Sequence, residues 1–90
     1  MDKINIAQIG VGYWGPNLLR NLISNKKCEV KSVADLSKER QDFVKSLYPN
    51  VETTSNPDDV INDSNVEAVI IATPVATHYD YAIKCLKSGK

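Results

Sequence analysis

No apolar run in this 90-residue sequence approaches the ~20 residues of a membrane-spanning helix. There is no block of basic residues, and the eleven basic and eleven acidic side chains cancel. The charge pattern therefore gives no basis for a nucleic-acid surface or a patch for anionic membrane. Cysteine is scarce: Cys28 and Cys85 lie far apart, and neither belongs to a C-x-x-C pair. That argues against a disulfide framework and reads as two reduced, packed thiols of a cytoplasmic protein. His78 is the only histidine and has no ligand partners at metal-site spacing, so no metal site is assigned. No serine or cysteine nucleophile has a base at a recognisable spacing. Met1-Asp2-Lys3 leads straight into a short apolar stretch, and no signal peptide is expected.

Glycine is scarce too, and its placement is informative. Three of the four glycines fall in Ile9-Gly10-Val11-Gly12-Tyr13-Trp14-Gly15-Pro16-Asn17. Before that stretch comes an apolar run, Ile4 to Ile9; after it comes a helical pattern, Leu18, Leu19, Leu22 and Ile23. A strand, Gly-x-Gly-x-x-Gly, then a helix is the phosphate-binding turn of a dinucleotide-binding βαβ unit. Gly10 would allow the tight turn out of the strand. Gly12, without a Cβ, would let a pyrophosphate approach the backbone, and Gly15 would let the helix pack close to the sheet. The helix N-terminus adds N–H groups and a partial positive charge, so no net basic charge is needed. An ordinary strand-to-helix turn is the competing reading of the glycines alone.

The remainder alternates. Residues 3–9 are expected as a strand, in which Asn5 and Gln8 are awkward unless they lie at its ends or find backbone partners. Pro16 suits the first turn of the helix that follows, and Asn25 its stop. Residues 28–34 read as a second strand ending on Asp35. Ser37 caps a second helix with Phe43, Val44 and Leu47 as its buried face, ended by Tyr48-Pro49. Residues 51–54 read as a short edge strand. Asn56-Pro57-Asp58-Asp59 is a strong helix start, with the helix running to about Asp63. Val66 to Ala72 reads as a strand covered on both faces. Thr77 to Asp80 has capping-box spacing, followed by Tyr79, Ala82, Ile83 and Leu86 at helical intervals and Gly89 at C′. The order βαβαβαβα predicts an α/β fold: a doubly wound, parallel, Rossmann-type sheet of strand order 3-2-1-4. Because the sequence stops after a helix and its glycine, residues 1–90 read as the first part of a larger dinucleotide-binding domain.

Asp35 lies twenty positions after Gly15, at the end of the second strand. A carboxylate there accepts hydrogen bonds from the adenosine ribose and repels a 2′-phosphate, which favours NAD over NADP. The competing reading is a surface aspartate capping Ser37-Lys38. Lys38 or Arg40 could still reach a 2′-phosphate, although both suit a solvated first turn. Thr73-Pro74 ends the fourth strand at the expected switch point and either floors the nicotinamide half or is a plain loop leading into the helix. His78 reads as a neutral hydrogen-bonding group lining the cleft, or as a plain surface histidine. Tyr13 and Trp14 either wall the cofactor or the opening of a substrate cleft, or pack on the helix and a neighbouring domain. The cofactor-binding candidates are thus Gly10, Val11, Gly12, Tyr13, Trp14, Gly15, Asp35, Thr73, Pro74 and His78.

Ile9 to Gly15, Asp35, and Ala72-Thr73-Pro74-Val75-Ala76-Thr77-His78 together resemble the N-terminal half of the glucose–fructose oxidoreductase / inositol dehydrogenase (Gfo/Idh/MocA) family. The resemblance covers essentially the whole chain, and the Ala-Thr-Pro-x-x-x-His segment is its most specific part. It implies an NAD(P)-dependent oxidoreductase that transfers a hydride to or from a sugar, cyclitol or sugar-nucleotide alcohol, usually as a homo-oligomer. It also implies that the catalytic lysine, in a Glu-Lys-Pro motif, follows Lys90, so no catalytic residue is assigned here. A second, substrate-binding domain would follow as well. Two rivals remain open on the residues: a non-catalytic NAD(H)-binding or sensing module, and a methyltransferase.

Overall fold

The computed structural model describes residues 3–12 and 14–90. Eight elements alternate: β1 (Ile4–Ile9), α1 (Gly15–Ser24), β2 (Cys28–Ala34), α2 (Lys38–Leu47), β3 (Glu52–Thr54), α3 (Pro57–Ile61), β4 (Ala68–Ile71) and α4 (Val75–Lys87). The four strands form one parallel sheet in the order β3-β2-β1-β4, the topology expected from the alternation.

Helix boundaries follow local chemistry. Pro16 sits in the first turn of α1 and Asn25 is its C-cap. The Ser37 hydroxyl accepts the Arg40 N–H to cap α2, and the Asn56 side chain accepts the Asp58 N–H to cap α3. Gly89, at φ +82°, follows the Ser88 C-cap of α4. The expected capping box at Thr77 does not form. The α4 helix begins two residues earlier, at Val75, and Thr77 lies inside its first turn, bonded to the Pro74 carbonyl.

The sheet carries one apolar cluster on each face. Ala7, Ile9, Ala34, Val60, Ile61, Val66 and Cys85 form one, under α3 and α4. Val11, Leu19, Val30, Val33, Val44 and Val51 form the other, under α1 and α2. Each fully buried aliphatic side chain stabilises the fold by roughly 1.5–3 kcal/mol. Val30 and Val33 share a face despite their odd spacing because Ile6 pairs with Val30 and Ala7 with Ser32. The extra residue, Lys31, is a bulge that resets the alternation.

Two expected helix faces differ from the structure. On α2, Val44 is buried as expected, but Phe43 and Leu47 are exposed and Gln41 takes the inner position. On α4, Cys85 and Tyr81 pack inward, while Tyr79 and Leu86 are 75% and 68% exposed. The cause is the same in both helices. The register of each helix on the sheet decides which residues face inward: Gln41 and Val44 on α2, Tyr81 and Cys85 on α4. The β4 strand is half-buried at every position, not covered on both faces as expected, and among the described residues it pairs only with β1. Both cysteines are buried and free, and burial, opposed by the Lys90 charge, pushes the Cys85 thiol up. No helix among the described residues is long and apolar enough to cross a membrane.

At the far end of the sheet, Asp63 accepts the Asn65 N–H at 2.9 Å and pairs with Lys31 at 3.4 Å. Lys90 Nζ donates to the Asp63 and Val66 carbonyls at 2.6 and 2.7 Å, tying the end of the chain to the α3–β4 loop. The Asn65 hydrogen bond, aided by Lys31 and Lys90 and opposed by desolvation, holds the Asp63 carboxyl below its ordinary 3.8. A lowered folded value means stability that is present above 3.8 and is lost as pH falls through the folded value. Asp63→Asn should remove that part of the acid sensitivity. Urea midpoints followed from neutral pH into acid would show it as a flatter decline, and parallel profiles would contradict it.

Val75, Tyr79 and Leu86 are exposed apolar residues on α4, and among the described residues β4 is an edge strand of the sheet. Open strand edges beside apolar side chains favour self-association. Sedimentation velocity of the 90-residue chain should therefore show concentration-dependent association, which Tyr79→Lys with Leu86→Lys should weaken. A monodisperse monomer at every concentration would contradict this.

Candidate dinucleotide site

The site is built where β1 ends. Gly10 has φ +94°, which L side chains rarely adopt, and its N–H donates to Ala34 O at 2.7 Å. A Cβ on Gly10 would lie 2.7 Å from Ala72 O and 2.9 Å from Ala72 C. The turn therefore passes tightly between the ends of β2 and β4. A Cβ on Gly15 would lie 2.9 Å from Gly10 O, so α1 starts in contact with the turn it follows. At Gly12 the geometry is the opposite: a Cβ would meet nothing within 4 Å. The three glycines thus have two uses, close internal packing at Gly10 and Gly15, and an open approach at Gly12.

That approach faces a cleft of about 370 Å³. Gly10 and Gly12 line it from the turn, Asp35, Leu36 and Ser37 from the loop after β2, Arg40 from α2 and Pro57 from α3. Ala72, Thr73, Pro74, Thr77 and Tyr81 close the other side. Every polar atom of Asp35 is engaged. Its N–H donates to Thr54 O, and its carbonyl accepts from Gln41 Nε2, both at 2.9 Å. Oδ1 accepts the Ser37 N–H and Oδ2 the Val11 N–H, again at 2.9 Å. The carboxylate therefore caps Ser37, as the competing reading held, and also ties the glycine turn to β2. Each carboxylate oxygen retains lone-pair capacity for a further donor.

The sequence candidates separate in the structure. Gly10, Gly12, Asp35, Thr73 and Pro74 come together around the cleft. Val11 does not line it: its side chain is core, and its N–H is committed to Asp35. Gly15 lies behind the turn. Trp14 is 66% exposed and does not line the cleft. His78 is exposed, with Nε2 2.6 Å from Thr73 O. A carbonyl only accepts, so Nε2 carries the proton, and the ring fastens the turn before α4 instead of facing the cleft. Tyr13 lies outside the described residues. The cleft also includes Leu36, Pro57 and Tyr81, which the sequence did not single out. An exposed leucine directly after Asp35, in an otherwise polar turn, was the available signal for Leu36. Among the described residues, no group of histidine, cysteine and acidic side chains could hold a metal.

A second hollow, about 430 Å³, lies over β2 and β3 and is lined by Ser32, Lys45, Glu52, Asp59 and Asp63 among others. Its carboxylates would repel a pyrophosphate, and no glycine opens its backbone to one. The physical chemistry favours the cleft at the glycine turn.

The family model described as "Oxidoreductase family, NAD-binding Rossmann fold" (Gfo/Idh/MocA) matches residues 4–90. The chain belongs to this oxidoreductase family. Within it, the inositol 2-dehydrogenase of Rhodococcus erythropolis (strain PR4 / NBRC 100887) is 35% identical over 91 residues, covering 99% of this chain and 26% of that protein. The scyllo-inositol 2-dehydrogenase (NADP(+)) IolW of Bacillus subtilis (strain 168) is 29% identical over 90 residues, covering 100% of this chain and 25% of that one. The scyllo-inositol dehydrogenase of Lactobacillus casei, solved with NAD(H) and scyllo-inositol, has the same fold, with a TM-score of 0.90 at 22% identity. That match covers 99% of this chain and 26% of the other. The chain thus spans about a quarter of the length of the curated family members it matches.

The glycine geometry makes a graded prediction for this Rossmann unit. Gly10→Ala combines a strained φ with a backbone collision and should cost about 2 kcal/mol or more. Gly12→Ala, pointing into open space, should stay within about 0.5 kcal/mol. Gly15→Ala should fall between. Urea unfolding of the three variants would check the order, and a Gly12 variant as damaged as the Gly10 variant would contradict it.

Proposed function

We propose that the cleft binds NAD(H), as the N-terminal part of a dehydrogenase acting on a cyclitol, sugar or sugar-nucleotide alcohol. The observation that carries this is the open backbone at Gly12, facing the same cleft as the Asp35 carboxylate. A pyrophosphate needs close backbone approach at a helix N-terminus, and an adenosine ribose needs a carboxylate beyond the second strand. Gly12 and Asp35 both line this one cleft, which supports the reading. Leu36 and Pro57 supply apolar surface for the adenine, and Arg40 a guanidinium beside it. Thr73 and Pro74 lie on the opposite wall, suited to the nicotinamide half.

The charge pattern favours NAD over NADP. The Asp35 carboxylate would repel a 2′-phosphate. Lys38, a candidate counter-charge, pairs instead with Asp42 at 3.2 Å on the outside of α2. Arg40 alone lines the cleft, and an adenine ring would take its face.

When bound, the nicotinamide supplies the hydride acceptor or donor. This chain's residues bind and orient the dinucleotide. In the intact protein, a lysine after Lys90 would handle the hydroxyl proton, and a following domain would hold the alcohol and the contacts of a homo-oligomer. The inositol dehydrogenases among the relatives support a polyhydroxylated ring alcohol as the substrate class. A cytoplasmic location suits two buried free thiols.

NADH and NADPH fluorescence titrations test the reading. NADH should bind more tightly than NADPH, and Asp35→Ala should narrow the gap. Gly12→Val should abolish NADH binding and leave far-UV circular dichroism unchanged. Equal affinity of the unmutated chain for both nucleotides would contradict the NAD preference. Retained NADH binding in Gly12→Val would show that the phosphates lie elsewhere.

A further inference from the structure

Gln8 is a polar residue at the centre of the sheet, on the strand flanked by β2 and β4 and fully shielded from solvent. Its side chain reaches forward under the glycine turn. Nε2 donates to Gly10 O at 2.8 Å and to Gly15 O at 3.0 Å. Two carbonyls facing one end of the amide assign that end as the nitrogen, because only NH₂ offers two donors. Oε1 is buried with no hydrogen-bond partner among the described residues. An apolar side chain would remove that orphaned oxygen but would also strip the Gly10 and Gly15 carbonyls of this donor.

The Gly10–Val11 peptide explains what the donors achieve. In a trans peptide the C=O and the N–H point in opposite directions, and the described residues contain no cis bond. The Gly10 carbonyl is held by Gln8 Nε2, and the Val11 N–H of the same plane donates to Asp35 Oδ2 at 2.9 Å. Rotating that plane would break both bonds together. The second Gln8 bond, to Gly15 O, fixes the far side of the turn.

We propose that Gln8 is a positioning residue for cofactor selection. It touches no cofactor, but it sets the Asp35 carboxylate through the Gly10–Val11 peptide and fixes the span of the phosphate-binding turn. The inference rests on the cleft being a dinucleotide site, and it adds a determinant of nucleotide preference in the core beneath the turn.

The test is Gln8→Met in the full chain, near in volume but with neither donor. Amide exchange followed by NMR needs no cofactor. Val11 N–H should lose protection by about tenfold or more, the loss of one hydrogen bond, while Gly10 N–H, bonded to Ala34 O, keeps its protection. In titrations NADH should weaken by about tenfold and NADPH by clearly less, moving the preference toward that of Asp35→Ala. In an Asp35→Ala background, Gln8→Met should not change the preference further. Unchanged Val11 protection, equal weakening of both nucleotides, or additive effects in the double variant would each overturn the proposal. If Gln8→Met does not fold, the unmutated chain still decides: the Gln8 side-chain amide protons should exchange slowly, and free exchange would overturn the proposal. A chain that binds neither nucleotide defeats the cofactor reading itself, and the exchange measurement then still reports whether Gln8 holds the peptide.

Discussion

The structure depends on one peptide plane, between Gly10 and Val11, gripped at both ends. Its carbonyl faces Gln8 from below and its N–H faces Asp35 from the side. Gly10 admits this orientation because its φ is +94° and because Ala72 lies where a side chain would be. Three strand ends thereby meet at one point. Gly10 closes β1, Asp35 follows β2, and Ala72 follows β4. The cleft is the space left above that junction. Its walls have fixed positions because each is hydrogen-bonded to the turn or to a neighbouring strand.

The rest of the fold keeps that junction in register. The two apolar clusters clamp the sheet from both faces, and the bulge at Lys31 lets Val30 and Val33 serve the same cluster. Buried amides do what apolar packing cannot. Gln8 ties the turn together, and Gln41 holds the Asp35 carbonyl from α2. Directional bonds of this kind fix orientation, which dispersion contacts do only weakly. Polarity also separates the two hollows. The one over β2 and β3 presents the carboxylates of Glu52, Asp59 and Asp63, whereas the one at the turn presents that of Asp35 and open backbone at Gly12.

Much of this was legible in the sequence because it rests on local chemistry. Strand–helix alternation, proline at helix starts, the Asn56 and Ser37 caps and the Gly89 C′ residue are properties of a few adjacent residues. The glycine spacing and the distance to Asp35 located the cleft. What was not legible depends on partners far along the chain. For the Asp35 carboxylate the sequence offers a ribose or a cap on Ser37, and nothing in it points to the Val11 N–H that the carboxylate also accepts. Gln8 appeared only as an awkward residue in a strand, since nothing in the sequence says that two carbonyls converge on it. Phe43, Leu47, Tyr79 and Leu86 share helical spacing with buried residues, and only the register of α2 and α4 on the sheet leaves them exposed. His78 is part of the family-like segment, but its ring turns back to Thr73, a choice set by the start of α4 at Val75.

The central claim is that the cleft above the glycine turn receives the dinucleotide. A two-dimensional NMR titration of the chain with NADH tests it most directly, because each backbone amide reports its own surroundings. The account predicts that shifts concentrate at Gly10, Gly12, Leu36, Ser37 and Thr73, with Lys45, Glu52 and Asp63 unmoved. Shifts centred on the β2–β3 hollow, or none at saturating NADH, would contradict it.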